Sequence, residues 1–443
     1  MIDKTNETGN FTIAKREDQF TGGTMYTYSH PCGFTMNFIP KPKFSKKFAG
    51  ILVPFGSIHN EIESENGNIT LPSGSAHYME HCVFGKEENG GLLARLSSLG
   101  ASVNAYTSNT HTMYYLNTVD NFETAFEVYL NAVISPYLGE DRIEAERNII
   151  IQELDMYEDD PDSRCYSDLL EAMYHNHPVR LDIGGTRESV KEITSEHLNA
   201  IKDNYYSFNS ISITIAGDIK GEDIIAILQK YPELDASKPS TSKTSFPQEP
   251  RSINSPLSER KMEVSMESFL IGLKNPDVNS KAPLTGFQRF ENQKGGQLYL
   301  EMILGDSSRI FETLYSKSLI NDTFGFHYIC EKTYSYLIIG GESSNPREAC
   351  ELVYSMLQEE FQNDIDIEEF EIQKRVTAGN LIRLLDTVDS CGLSASVARL
   401  SDMHIFDYLQ VYDSMDPEKI RQSMKFVINS SLKTESYVMK KGK

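Results

Sequence analysis

The stretch GSAHYMEHC, starting at Gly74, sets His77 and His81 four residues apart, with Glu80 immediately before the second histidine. On a helix, positions i and i+4 share a face, so both imidazoles can reach one metal ion while Glu80 projects beside them. These are the parts needed to activate water at a metal: nitrogen ligands for the ion and a carboxylate to take the proton. Two partly buried histidines beside a solvated glutamate would read the same way, so the rest of the chain has to decide. Farther on, AERNIIIQE carries Glu146 and Glu153, two turns apart on one face of an expected helix. The residues between them are strongly apolar, which points to burial, and a buried carboxylate needs a partner such as a metal ion. A catalytic zinc usually takes three protein ligands and leaves a fourth position open. The two glutamates could supply the third ligand and a supporting carboxylate.

Several elements must hold these groups together. TYSHPCGFTMNFIPKP and KFAGILVPFGSIHN suggest strands before the histidines, and GGLLARLSSLGA a helix after them. SVNAYTSNTHTMYYLNTV alternates as a strand pair, a helical region runs from about Asn121 to His175, and ISITIAGDI is another strand. His111, within the strand pair, is expected as a polar surface residue rather than a ligand. The Pro- and Ser-rich segment 236–260 reads as a linker between residues 1–235 and 261–443.

A chain of 443 residues exceeds one ordinary core. Its alternating helix and strand patterns describe a mixed α/β (α+β) protein rather than a disordered one. The formal net charge of −22, from 64 acidic against 42 basic residues, argues against nucleic-acid or anionic-membrane partners and is compatible with basic peptides. The N-terminus lacks an apolar signal core and no long apolar run occurs, so neither secretion nor a membrane span is expected. Six cysteines without paired spacing suit reduced thiols in the cytoplasm.

The order of patterns recurs after the linker. HYMEHCVFG lies over LYLEMILG with one gap, and IEAERNIIIQELDMYEDDPDS over FEIQKRVTAGNLIRLLDTVDS at an offset of 227. His77, His81, Glu146 and Glu153 correspond to Leu298, Met302, Gln373 and Asn380, so the chemistry is confined to one copy. We therefore expect one active and one structural domain.

H-x-x-E-H is the inverted zincin motif. Together, GSAHYMEH, ASVNAYTSNTHTMYY, AERNIIIQELDMYEDDPDSRCY and NHPVRLDIGGTRESVKEIT resemble the M16 peptidases, which include pitrilysin, insulin-degrading enzyme and mitochondrial processing peptidase. The resemblance is greatest to short, two-domain bacterial members. It implies two homologous domains with largely antiparallel sheets facing a cleft, and a zinc endopeptidase acting on short or unfolded peptides. By that resemblance His77, His81 and Glu153 match the zinc ligands, Glu80 the general base, and Glu146 the second acidic residue of its helix. It also implies a strand edge that receives the peptide, with Asn104 and Ala105 near the scissile bond.

One feature departs from the pattern. Self-sufficient members carry an Arg and a Tyr in the inactive domain, in a stretch like R-x-x-x-G-L-A-Y. Here the region reads FETLYSKSLINDTFGFHY, with Phe324 near the Tyr position and Arg309 and Tyr328 as nearby candidates. This implies a homologous partner subunit, in a heterodimer or homodimer, that completes the cleft. The alternatives are a catalytically weak scaffold subunit and a peptide carrier without turnover.

Overall fold

The computed structural model describes residues 3–8, 10–63, 67–85, 91–237, 244–278 and 284–442. The first half contributes β1 (Asp3–Thr8), β2 (Phe11–Glu17), β3 (Thr24–Ser29), β4 (Thr35–Pro40), β5 (Lys47–Val53), the short pair β6 (Glu61–Ile62) and β7 (Ile69–Thr70), then β8 (Ala101–Thr107), β9 (Thr112–Thr118) and β10 (Ser212–Gly217). Eight of these form a sheet ordered β1-β2-β3-β4-β10-β5-β9-β8. The second half forms a sheet from β11 (Leu257–Met262), β12 (Glu267–Lys274), β13 (Gly325–Cys330), β14 (Ser335–Ser343) and β15 (Lys433–Lys440), ordered β11-β15-β12-β14-β13.

The run β4-β10-β5-β9-β8 and the whole second sheet share one topology. The first pair is parallel in each, β4 with β10 and β11 with β15, and every later pair is antiparallel. The first-half helices used below are α1 (Ser75–Phe84), α2 (Gly91–Ser98), α3 (Phe122–Ile134), α4 (Glu140–Asp159) and α5 (Pro161–Met173). The helix Ile367–Asp386 lies 227 positions beyond α4 at both ends, and the helix Val388–Ala398 starts 227 beyond α5. Backbone geometry thus repeats the sequence offset.

The two copies exchange a helix. Pro161 stops α4, because a proline there cannot continue the hydrogen-bond ladder, and the Asp160 side chain accepts from Ser163 N–H at 2.9 Å to cap α5. Thus turned, α5 packs Leu169, Leu170 and Met173 against Tyr336 and Ile338 of the second sheet. Reciprocally, Val388, Cys391 and Ala395 pack against Phe48 and Leu52 of β5. Ala49, Ile51 and Val53 on the other face of β5 join the first core with α1, α3 and α4. A central strand covered on both faces reads as a continuous apolar run, as KFAGILV does.

The expected linker meets regular structure at both ends: a short helix closes at Ala236 and β11 opens at Leu257. Residues 238–243 of it lie outside the described residues. From residue 244 it is held in place. Phe246 stacks on His177 with ring centroids 5.4 Å apart, and Glu249 accepts the backbone N–H groups of His175, Asn176 and His177 at 3.0, 2.7 and 2.8 Å. Lys274, also buried, donates to Glu249 at 2.5 Å and to the carbonyls of Pro250 and Ser252. Composition marks this segment as a connector, yet a buried ion pair pins it. Lys274→Met, which strands the Glu249 charge, should cost about 3–5 kcal/mol in denaturant unfolding. Adding Glu249→Gln should recover part of that loss.

Among the described residues no helix is long and apolar enough to cross a membrane.

Candidate functional site

The helix that carries both histidines begins at a close approach of two backbones. Gly74, at φ 87°, precedes α1, and a Cβ there would sit 2.3 Å from Gly184 O. Gly185, at φ 81°, would place a Cβ 2.5 Å from Ser73 O. Only glycine meets both the left-handed backbone and the close contact. Ala76, Tyr78, Met79, Cys82 and Val83 then bury one side of α1, and the Tyr78 hydroxyl donates to Ile143 O on α4. His77, Glu80 and His81 remain on the partly open side, facing α4.

His77 Nε2 lies 3.8 Å and His81 Nε2 3.3 Å from the same oxygen, Glu153 Oε2. Potential ligand atoms of the three residues all fall within 4.8 Å of one another, and among the described residues no other group of His, Cys, Asp and Glu does this. The other nitrogen of His81, Nδ1, is 3.5 Å from Glu146 Oε2. The sequence alone left the roles of the two glutamates open; in the structure Glu153 faces both histidines and Glu146 stands behind His81. Two neighbours were not read from the sequence. The Tyr157 hydroxyl donates to Glu153 Oε1 at 3.3 Å, and the Thr107 hydroxyl donates to Glu80 Oε2 at 2.6 Å. Both follow from spacing that was available: Tyr157 is one helical turn past Glu153, and Thr107 is two strand positions past Ala105.

The electrostatics describe a site prepared for a cation. Burial pushes the pKa of Glu80 up, against the Thr107 hydrogen bond. Burial and the neighbouring His81 lower His77 to about 4. Burial would lower His81 as well, but the hydrogen bonds it donates to Glu146 and Glu153 outweigh it and raise His81 to about 9. Contact with His81 pulls Glu153 down despite burial. Two imidazoles and a carboxylate converge beside two further carboxylates, an excess of negative charge that a divalent ion balances. Nitrogen and oxygen donors of this kind fit zinc.

A proton test follows. His77 is already neutral at pH 7, whereas His81 must lose a proton before it can bind metal. Zinc addition to metal-free protein at pH 7 should release about one proton, measurable with a pH indicator in weak buffer. Apparent affinity should rise roughly tenfold per pH unit from 7 toward 9 and then level off.

His77, Glu80 and Glu153 open into a cavity of about 410 Å³ whose other walls are Ala105–Thr107 of β8, Ser163–Leu170 of α5 and the segment Val179–Gly184. β8 is the edge strand of its sheet. Ser108 N–H pairs with His111 O across the hairpin, so by antiparallel alternation Val103, Ala105 and Thr107 turn their backbone groups away from β9, toward the open edge. Ala105 borders the cavity, whereas Asn104 is exposed and its Oδ1 accepts the Ala105 N–H at 2.8 Å. His111 is not a surface residue: it is 7% exposed, bonded to Ser108 and in edge contact with Tyr106, because the hairpin tip packs on the segment after β5, where Ser57 and Ile58 N–H donate to the Ser108 and Asn109 carbonyls. Arg309 is paired with Glu359 and Glu360 on the second half and Tyr328 is buried beneath Phe426, so neither lines this cavity. In the second copy, Leu298 is core and Met302 packs against it.

Residues 41–187 match the family described as "Insulinase (Peptidase family M16)" and residues 192–377 the one described as "Peptidase M16 inactive domain". The Bacillus subtilis protein named "Uncharacterized zinc protease YmfH" is 31% identical over 405 residues, covering 90% of this chain and 92% of that protein. YmxG of the same organism, also named an uncharacterized zinc protease, is 25% identical across 77% of this chain and 80% of its own length. Among solved structures, an M16-like peptidase from Alicyclobacillus acidocaldarius superimposes with a TM-score of 0.85 at 25% identity, covering 99% of this chain and all of that one. With two adjoining family matches and a relative aligned along nine-tenths of its length, this chain belongs to peptidase family M16.

Proposed function

We propose that the chain is a zinc-dependent endopeptidase that cleaves short or unfolded peptides, including precursor or leader segments. The observation that carries this is the convergence of His77, His81 and Glu153 on one point, with Glu80 at the mouth of the same cavity. His77, His81 and Glu153 would hold the ion, and Glu146 would orient His81 through Nδ1. Zinc held there supplies Lewis acidity, acidifying water and polarising a peptide carbonyl. Glu80 takes the proton from the attacking water and delivers it to the leaving amine, and Thr107 keeps its carboxylate turned toward the cavity. The outward backbone groups of Val103, Ala105 and Thr107 receive the peptide as an added strand, once Asn104 Oδ1 yields the Ala105 N–H.

Chelation should test this. Incubating the chain with a chelator and removing it should abolish cleavage of an unfolded peptide, and one equivalent of zinc should restore it. Activity unchanged by metal removal would refute the reading.

A second reading concerns partners. Arg309 and Tyr328 stand away from the cavity, which favours a weakly active subunit completed in the cytoplasm by a homologous M16-like chain or a second copy. An added oxyanion donor is worth about 10²-fold in kcat. Robust turnover by the monodisperse chain would refute that part alone.

A further inference from the structure

The strap that begins at residue 244 reaches both sides of the cavity from behind. Glu249 makes the first contact, accepting three consecutive backbone N–H groups, those of His175, Asn176 and His177. These residues lead directly into Val179–Gly184, one wall of the cavity. His177 starts that turn: its Nδ1 accepts the Val179 N–H at 3.1 Å, so its other nitrogen carries the proton and donates to Thr333 Oγ1 at 3.0 Å. Thr333 lies in the turn between β13 and β14, so the second half meets the wall at this point too.

Phe246 makes the second contact. Its ring stacks on His177 and comes within 6.1 Å of the His59 ring, centroid to centroid. His59 Nδ1 accepts the Gly56 N–H at 2.9 Å and so shapes the loop after β5. That loop holds the tip of the β8–β9 hairpin: Ser57 and Ile58 N–H donate to the Ser108 and Asn109 carbonyls, both at 3.0 Å. Asn109 lines the cavity, and Thr107, at the end of β8, donates to Glu80. Both contacts are anchored in the second half, because Lys274 of β12 gives its three donors to Glu249 and to the carbonyls of Pro250 and Ser252. A buried network with every member satisfied is rigid. Neither Phe246 nor Glu249 lines the cavity itself.

We infer that Phe246 and Glu249 are positioning residues for peptide cleavage: with Lys274 they form a clamp that fixes the Val179–Gly184 wall relative to the β8–β9 hairpin. This rests on the proposed peptidase reading and adds residues that no metal or proton-transfer role requires. The spacing of the two walls sets where a bound carbonyl lies relative to Glu80, and a misplacement of about 1 Å can cost about 100-fold in rate. The outward edge of β8 does not pass through the clamp. Loosening it therefore lowers kcat and spares peptide affinity.

The test compares the zinc-loaded full chain with Phe246→Ala and with the double variant Lys274→Met/Glu249→Gln, which removes both buried charges together. Each should lower kcat on an unfolded fluorogenic peptide by about 10-fold or more, with one zinc per chain. Peptide affinity, read by anisotropy in Glu80→Gln versions, should stay within about threefold of the parent. Phe246→Tyr keeps the ring and should restore kcat to within about threefold of wild type. Leu314→Ala is the stability control: it opens a cavity in the second core, a cluster that Phe246 does not join, and should change kcat by less than about twofold while folded. Hydrogen exchange should quicken at residues 179–185 and 107–111 in both clamp variants, but not in α3. Unchanged kcat, an equal loss in Leu314→Ala, or zinc lost from the clamp variants would overturn the inference. If wild type cleaves nothing, the peptidase reading fails, and exchange at the two walls still decides the clamp.

Discussion

Replacing Glu80 with Gln should lower kcat by about 10²–10⁴-fold while zinc content remains one per chain. The amide keeps the size of the side chain and can still meet the Thr107 hydroxyl, which lies 2.6 Å from Glu80 Oε2. What it loses is the basic oxygen, so peptide binding and KM should change little while the proton transfer fails. Glu80 points into the cavity from α1 between two histidines without sharing the Glu153 oxygen, which suits a base better than a ligand. Turnover above about a tenth of wild type would rule out Glu80 as the sole base.

His81→Ala should remove the metal. It takes away one of the two nitrogens facing Glu153 and leaves Glu146 and Glu153 without the cation-bearing ring between them. Losing an outer partner of a ligand typically weakens metal binding 10–100-fold, and losing the ligand itself should exceed that. Elemental analysis after desalting should therefore fall from about one zinc per chain to near none, with activity lost in parallel. Glu146→Gln is the graded control, expected to keep zinc at saturating concentration but with about 10- to 100-fold lower affinity. Full zinc occupancy in His81→Ala would sink the ligand assignment.

Much of this site was legible from spacing. His77, Glu80 and His81 lie within one helix and Glu146 and Glu153 within another, so local periodicity set each group's face before any tertiary contact was known. Spacing alone did not divide the labour between the two glutamates, because that depends on how α1 crosses α4; it was the family resemblance that assigned Glu153 as ligand and Glu146 as the second acid. Thr107 and Tyr157 escaped for the same reason: each earns its place only through a partner on another element. At fold level, the repeat at offset 227 predicted a second sheet. The strands β1 and β2 went unread, since DKTNET has no apolar alternation and β1 follows the edge of a sheet already formed. The pinned strap beyond residue 244 was likewise invisible, because Pro and Ser composition is blind to a single buried Glu249–Lys274 pair.

The exchanged helices carry a thermodynamic consequence. With α5 lying on the second sheet and the helix Val388–Ala398 on the first, neither half can unfold without uncovering the apolar face of the other. Such reciprocal covering merges two historical units into one cooperative system. α5 is also a wall of the cavity, so the second half, although it lacks a ligand cluster among its described residues, sets the rigidity of the surface beside the first half's histidines. The copy without a ligand cluster among its described residues thus serves the other as a foundation.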